Sequence, residues 1–330
     1  MAGKQGGATG APLGSQAFGA IRDMQAAPGA SQTFEGPQAP AIPKQHGARP
    51  TVGIVGLGLI GGSFAKAYRK AGWRVLAFDV DEDAMGAARV ETIDGTLDAA
   101  TIPTCDLVLL AVYPGAAIAW LRDHADELSG DALVIDCCGV KREVCDACLP
   151  LAQGRDFTFV GGHPMAGTQY SGFKYARANL YHNAPMVIVP PRTDDMALLD
   201  RIKTVLEPAG FGSICVTSAE EHDRRIAYTS QLAHVVSNAY IKSPTAQGHK
   251  GFSAGSYRDM TRVAWLNEAM WTELFLDDAD NLLDELDGII AALGEYRDAL
   301  ADRDAERLRA LLRDGRIAKE SAERRIAGER

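Results

Sequence analysis

The chain has 330 residues, about twice an ordinary domain, which points to two domains or to one with a large extension. Its 43 acidic residues outnumber 34 lysines and arginines, and the resulting net charge of −9 suits no grip on nucleic-acid phosphates. A hydrophobic content of 46% supplies a sizeable core, yet no apolar run reaches the roughly 18 residues of a membrane helix and no signal-like stretch opens the chain.

Residues 1–50 are rich in Gly, Ala, Gln and Pro with no apolar period, and are expected to form a flexible tail. The texture changes at Thr51, where Val52 to Gly56 reads as a buried parallel strand. A glycine-rich turn and an Ala-rich helix follow, ended by Gly72, and Arg74 to Asp79 is a second strand. The alternation continues with strands at 105–112, 131–136, 157–162 and 186–190, and with helices at 116–128 and near 142–149. One more helix (194–209) and one last strand (213–217) complete a doubly wound parallel sheet with helices on both faces. From Ser218 onward the pattern is helical only. Ser218 and Glu221 form a capping box that opens a long helix toward Ile241. Gly248, Gly251 and Gly255 mark a loop through Tyr257, and helices resume from about Arg262. The sequence thus divides into a dinucleotide-binding domain at 51–217 and a helical domain at 218–330, whose Leu/Ile stripes serve either a core or a dimer seam.

Gly56-Leu57-Gly58-Leu59-Ile60-Gly61 follows a strand and opens a helix, the context that gives this fingerprint its force. Gly56 permits the tight turn, Gly58 lets the backbone approach a pyrophosphate, and Gly61 allows close helix packing. The amides at the helix start, including those of Leu59 and Ile60, then face the phosphates. Asp79 ends the second strand, where a carboxylate accepts the ribose hydroxyls and repels a 2′-phosphate. Val80-Asp81-Glu82-Asp83 beyond it brings no basic residue, so the expected cofactor is NAD rather than NADP. A flavin dinucleotide shares the fingerprint, but no later segment resembles the rest of a flavoprotein.

Ligands of such sheets sit at the C-terminal strand ends. Asp136 to Lys141 lies at one end, and Gly161-Gly162-His163-Pro164-Met165-Ala166-Gly167 at the next. A neutral His163 there can take a proton from an alcohol, or it can simply hydrogen-bond its own turn. His222 and His234 share a helix, nearly on one face but ~18 Å apart along its axis, so only one of them can reach a small ring. Asp223 is either part of the site or a helix-start carboxylate. Arg258 and Arg262 lie one helical turn apart and suit either a substrate carboxylate or a surface ion pair. Six cysteines in so long a chain are too sparse for a disulfide framework, which predicts a cytoplasmic protein. Cys137, Cys138, Cys145 and Cys148 cluster, and small buried thiols explain them better than a metal site.

The glycine fingerprint, the GGHPMAG segment, Glu220-Glu221-His222-Asp223, and Thr261-Arg262 with Ala264, Met270 and Trp271 together resemble the prephenate/arogenate dehydrogenase family of tyrosine biosynthesis. The resemblance spans about residues 51–320. It implies a layout like that of 6-phosphogluconate dehydrogenase, with a helical C-terminal domain that forms a homodimer. It implies NAD-dependent oxidative decarboxylation of prephenate to 4-hydroxyphenylpyruvate, with no metal. In that scheme His163 accepts the proton of the ring C4 hydroxyl and Arg262 grips a substrate carboxylate. His222, Asp223 and His234 line the substrate region, and Gln169 stands where many members carry a glutamate at the mouth of the site. Two departures stand out: Gly139 replaces the usual serine, and Gln231 a frequent histidine. L-arogenate and 4-amino-4-deoxyprephenate remain alternative substrates, and a non-catalytic NAD-binding sensor an alternative role. No fused chorismate mutase or ACT module is expected.

Overall fold

The computed structural model describes residues 49–168 and 170–326. Of the tail expected over 1–50, only Arg49 and Pro50 fall within them, and the Pro50 carbonyl accepts the Arg74 amide at 2.9 Å. Strand β1 (Thr51–Val55) is buried along its whole length, as its unbroken apolar sequence demands. It leads through the glycine turn into α1 (Leu59–Lys70), β2 (Arg74–Phe78), α2 (Glu82–Glu91) and a two-residue strand β3 (Gly95–Thr96). Then come β4 (Leu107–Leu110), α3 (Pro114–His124), β5 (Leu133–Asp136), α4 (Arg142–Ala152) and β6 (Thr158–Pro164). The sheet closes with β7 (Pro185–Val189), α5 (Met196–Leu206) and β8 (Ser213–Val216).

The strand order is β3-β2-β1-β4-β5-β6-β7-β8. Alternate residues of the central strands feed two cores. Ile54, Val75, Leu109 and Ile135 face one layer of helices, while Leu76, Val108, Leu110 and Val134 face the other. This is the doubly wound arrangement, and the order reverses between β1 and β4, which opens a crevice at their C-terminal ends. Two strands depart from the all-parallel expectation: β7 runs antiparallel to β6, and β8, which pairs parallel with β7, shares its reversed direction. A parallel return needs a crossover helix. The described residues between β6 and β7 contain only a short 3₁₀ turn at Phe173–Tyr175, so the chain doubles back beside β6. Strand β3 escaped the sequence reading because two residues carry no periodicity.

Beyond β8 every element among the described residues is helical, with α-helices α6 (Ala219–Ile226), α7 (Ala233–Ile241), α8 (Gly255–Thr261), α9 (Glu268–Asp277), α10 (Ala279–Ala301) and α11 (Ala305–Ile326). Ser218 caps α6 by accepting the Glu221 amide at 3.2 Å, as the capping box predicts. The long helix expected to reach Ile241 is interrupted by a π-helical turn at Ala227–Leu232, which packs against α10 and re-aims the residues beyond it. Helix α8 starts inside the loop expected through Tyr257. Tertiary bonds outweigh the glycines there, since the Ser237 hydroxyl donates to the Met260 carbonyl at 2.7 Å and ties α8 to α7. On α10 and α11, Leu283, Ile290, Leu293, Leu300, Leu312 and Ile317 are exposed. Among the described residues no helix is long and apolar enough to cross a membrane.

Candidate functional site

The first part of the site is the glycine turn after β1. Gly56 holds φ at 91°, and a side chain there would strike the Ala111 carbonyl. A Cβ at Gly61 would lie 1.8 Å from the Gly56 carbonyl, so α1 approaches the turn as closely as backbone allows. Gly58, by contrast, faces open space. The first turn of α1, with Leu59, Ile60 and Gly61, carries no acidic side chain, which leaves its amides to an incoming phosphate. Asp79 sits at the end of β2. It accepts the Leu57 amide on one oxygen and the Asp81 amide at 2.8 Å on the other, which fixes the carboxylate at the rim of the crevice. Close backbone, a free helix start and an anchored carboxylate fit a dinucleotide.

The second part lies at the ends of β5 and β6. His163 is not in a turn, as its glycine and proline neighbours suggest, but in the paired end of β6, opposite Val187 of β7. The extra hydrogen bonds of that pairing override the local turn signals. The ring is half-buried. Its Nδ1 lies 2.9 Å from Nε2 of His222, and the two rings meet edge to face. His222 Nδ1 lies 2.6 Å from Asp223 Oδ1. Asp223 in turn accepts the Lys141 amide at 2.7 Å and the Arg142 amide at 2.8 Å, and the Arg142 guanidinium stands 3.5 Å away. Burial, then the neighbouring His222 and Lys141, push His163 well below the ordinary histidine range, so its ring is neutral at physiological pH. Among the described residues His163 Nε2 has no protein partner, and it is not sealed from solvent. His222 and Asp223, at 2% and 0% exposure, lie behind His163.

A buried ion pair braces this end of the sheet. Asp136, the last residue of β5, meets Lys141 Nζ, and both side chains are fully buried. The same carboxylate accepts the Cys138 amide at 2.9 Å and the Gly162 amide at 3.0 Å, so it clamps the residue preceding His163. In the sequence Asp136 and Lys141 stand at a strand end with no role attached to them. The signal was there: a carboxylate and a lysine closing an apolar strand. Arg142 was missed altogether, although it joins α4 to Asp223, to Asp278 (2.8 Å) and to Asp280.

A third group gathers on the helices. His234 donates through Nδ1 to the Ser230 carbonyl (2.8 Å), and its ring lies 4.0 Å from the Trp271 ring. Burial, with Arg262 nearby, lowers its basicity. Arg262 caps the end of α8, exposed and without a carboxylate partner among the described residues. Arg258 is exposed on the same helix. Gln169 lies outside the described residues. Gln231 is buried, with neither amide atom hydrogen-bonded. Cys138, Cys145 and Cys148 are buried, and burial raises the Cys145 and Cys148 thiols to about 12, which keeps them protonated and inert. Among the described residues no group of three His, Cys, Asp or Glu is placed to hold a metal ion.

Residues 64–215 match the prephenate dehydrogenase nucleotide-binding domain, and residues 218–314 the prephenate dehydrogenase dimerization domain. Prephenate dehydrogenase of Bacillus subtilis is 30% identical over 271 residues, covering 79% of this chain and 72% of that protein. Cyclohexadienyl dehydrogenase of Zymomonas mobilis is 32% identical, covering 78% of this chain and 90% of its own. The chain belongs to the prephenate dehydrogenase family. The crystal structure of prephenate dehydrogenase from Aquifex aeolicus, in complex with hydroxyphenyl propionate and NAD+, is 28% identical with a TM-score of 0.72. The match covers 83% of this chain and 99% of that one. As a member of this family the chain is an oxidoreductase with the family's dinucleotide-binding sheet and helical second half. At Gly139 a Cβ would come within 3.3 Å of Leu274 on α9, so the space a serine side chain needs is bounded by an apolar one.

Proposed function

We propose that the protein is an NAD-dependent prephenate dehydrogenase. Residues 51–217 hold the dinucleotide, while 218–330 complete the substrate pocket and carry a homodimer face on α10 and α11. The observation that supports this reading best is the state of His163: neutral, positioned by β6 at the crevice, and with Nε2 free of protein partners among the described residues. Bound NAD supplies a hydride acceptor. His163 Nε2 takes the proton of the ring C4 hydroxyl as the C4 hydrogen departs as hydride. The bond to the ring carboxylate then breaks, releasing carbon dioxide, and its electrons restore an aromatic ring as the C4 oxygen takes back a proton from His163. Arg262, near His234 and without a carboxylate partner among the described residues, grips a carboxylate of the substrate.

The deciding experiment is NADH formation by the purified protein with prephenate and L-arogenate supplied separately. Turnover on prephenate alone is the expected result. Turnover on arogenate alone would move the protein to the amine-bearing substrate, and none on either would favour the aminodeoxy compound or a binding role.

Two further results test individual residues. Arg262→Ala removes a charge-assisted contact of about 1.5–3 kcal/mol and should raise KM for prephenate about 10- to 100-fold, with a smaller change in kcat. An unchanged KM would remove the clamp. Asp79→Ser should raise the NADP-to-NAD ratio of kcat/KM, because the carboxylate that repels a 2′-phosphate is gone. An unmoved ratio would mean that Asp79 does not read the ribose.

A further inference from the structure

We infer that His222 and Asp223 are positioning residues that dictate which nitrogen of His163 carries its proton. The inference rests on the proposed role of His163 as the base. It adds that a base in this place has to be prepared by a chain of hydrogen bonds running away from the substrate.

The chain has one direction. Asp223 accepts two backbone amides, from Lys141 and Arg142, at 2.7 and 2.8 Å. Burial alone would raise its carboxyl, but the His222 hydrogen bond and these amides outweigh burial and hold it below the ordinary carboxylate value. An ionised carboxylate only accepts, so the 2.6 Å contact obliges His222 Nδ1 to donate. A neutral imidazole protonated on Nδ1 has a bare Nε2, and the atom facing that lone pair at 2.9 Å is His163 Nδ1. His163 Nδ1 must then donate, which leaves Nε2 bare and basic on the open side. Two amides at the start of α4 thus determine, through three side chains, the polarity of the ring that meets the substrate.

Burial supports a positioning role over a binding one. A wall residue of an open pocket is accessible, whereas His222 is 2% exposed and Asp223 fully buried. The same chain also serves the protonated state. When Nε2 gains the substrate proton, the Nδ1 proton of His163 can move to His222 Nε2, and the positive charge then lies against an ionised carboxylate. No proton is created or lost in that shift. A doubly protonated His222 would reverse the last link, making His163 Nδ1 an acceptor and Nε2–H a donor, which is the wrong polarity for a base.

The test is ¹⁵N NMR of the histidine rings in the full-length protein, with the His163 signals assigned by their loss in His163→Asn. The wild type should show His163 and His222 both protonated on Nδ1 alone. Asp223→Asn places an amide N–H against His222 Nδ1 and should flip both rings to the Nε2–H form. In that variant kcat should drop about 10²–10⁴-fold, as expected when a base is held in the wrong tautomer, while NAD binding and KM change little. His222→Gln preserves the polarity, an amide N–H toward Asp223 and an amide oxygen toward His163, and should stay within about tenfold of wild type. His222→Leu breaks it and should fall at least tenfold lower than the glutamine variant. Wild-type His163 protonated on Nε2, or equal activity of the glutamine and leucine variants, would overturn the inference. If Asp223→Asn does not fold, the wild-type tautomer and the His222 pair still decide. The tautomer is read without turnover, so an inactive protein with the expected tautomers would count against prephenate as substrate and not against the relay.

Discussion

Lys141→Met should destabilise the protein by about 3–5 kcal/mol, a fall in Tm of about 10 °C, measured by thermal and urea unfolding. Lys141 and Asp136 are both fully buried and in direct contact. Removing the ammonium leaves a buried carboxylate without its counter-charge, and that uncompensated charge, rather than the loss of an attraction, sets the size of the effect. Asp136 also accepts the Cys138 and Gly162 amides, so it cannot swing away to find water. The double variant Asp136→Asn/Lys141→Met carries no buried charge and keeps a side-chain acceptor, and should therefore be more stable than Lys141→Met alone. A single variant within about 1 kcal/mol of wild type would show that the pair is replaceable. The pH sign follows from Lys141 itself. Burial lowers its basicity, but Asp136 and the neighbouring groups outweigh burial and raise it above the ordinary value. Its contribution is complete below the unfolded lysine pKa and is lost only as pH climbs through the raised one.

What the sequence made legible was whatever is encoded locally. Strand β1 and the glycine turn could be read because an apolar run, three glycines and a helix start follow one another within a few residues. Asp79 could be placed because it closes the next strand. His163 stood out among glycines, yet those glycines and Pro164 read as a turn, because pairing with β7 depends on residues more than twenty positions away. The same non-local cause hid the relay. A helical period places His222 and Asp223 on a helix but does not say what that face covers, and only the packing of α6 against α4 shows that it covers His163 and the Lys141 amide. The ion pair and Arg142 were missed because charged residues default to solvent. A lysine with 0% side-chain exposure becomes recognisable only once β5 and β6 are seen to enclose it. The π turn at Ala227–Leu232 has no sequence period to announce it. The resemblance names Arg262, His234 and Trp271 but not their arrangement; in the structure the His234 ring packs on Trp271 and lies near Arg262.

His163→Asn should lower kcat on prephenate about 10²–10⁴-fold with NAD binding unchanged, measured by NADH absorbance and by equilibrium cofactor titration. Asparagine fills much of the same space and can still pair with His222 Nε2, but it has no basic nitrogen. Whatever rate is left then reflects orientation of the substrate and the drive toward an aromatic ring. The pH profiles of the two proteins should differ in a defined direction. Burial, with His222 and Lys141 behind it, pushes His163 well below its usual value. Wild-type kcat/KM should therefore stay level as pH falls past the ordinary histidine value of ~6.5 and decline only further down, when the ring protonates. In the variant that limb should be absent. Stability gives an independent reading of the same group. Between the lowered native pKa and ~6.5 the unfolded chain binds a proton that the native ring refuses, so wild-type stability should fall as pH drops through that window. His234, also lowered by burial, adds a share of its own that persists in the variant. The difference between the two stability curves consequently isolates His163. A kcat within threefold of wild type, with the acid limb retained, would remove the ring from the chemistry, while a large loss of kcat with the acid limb retained would place the titrating group on the substrate instead.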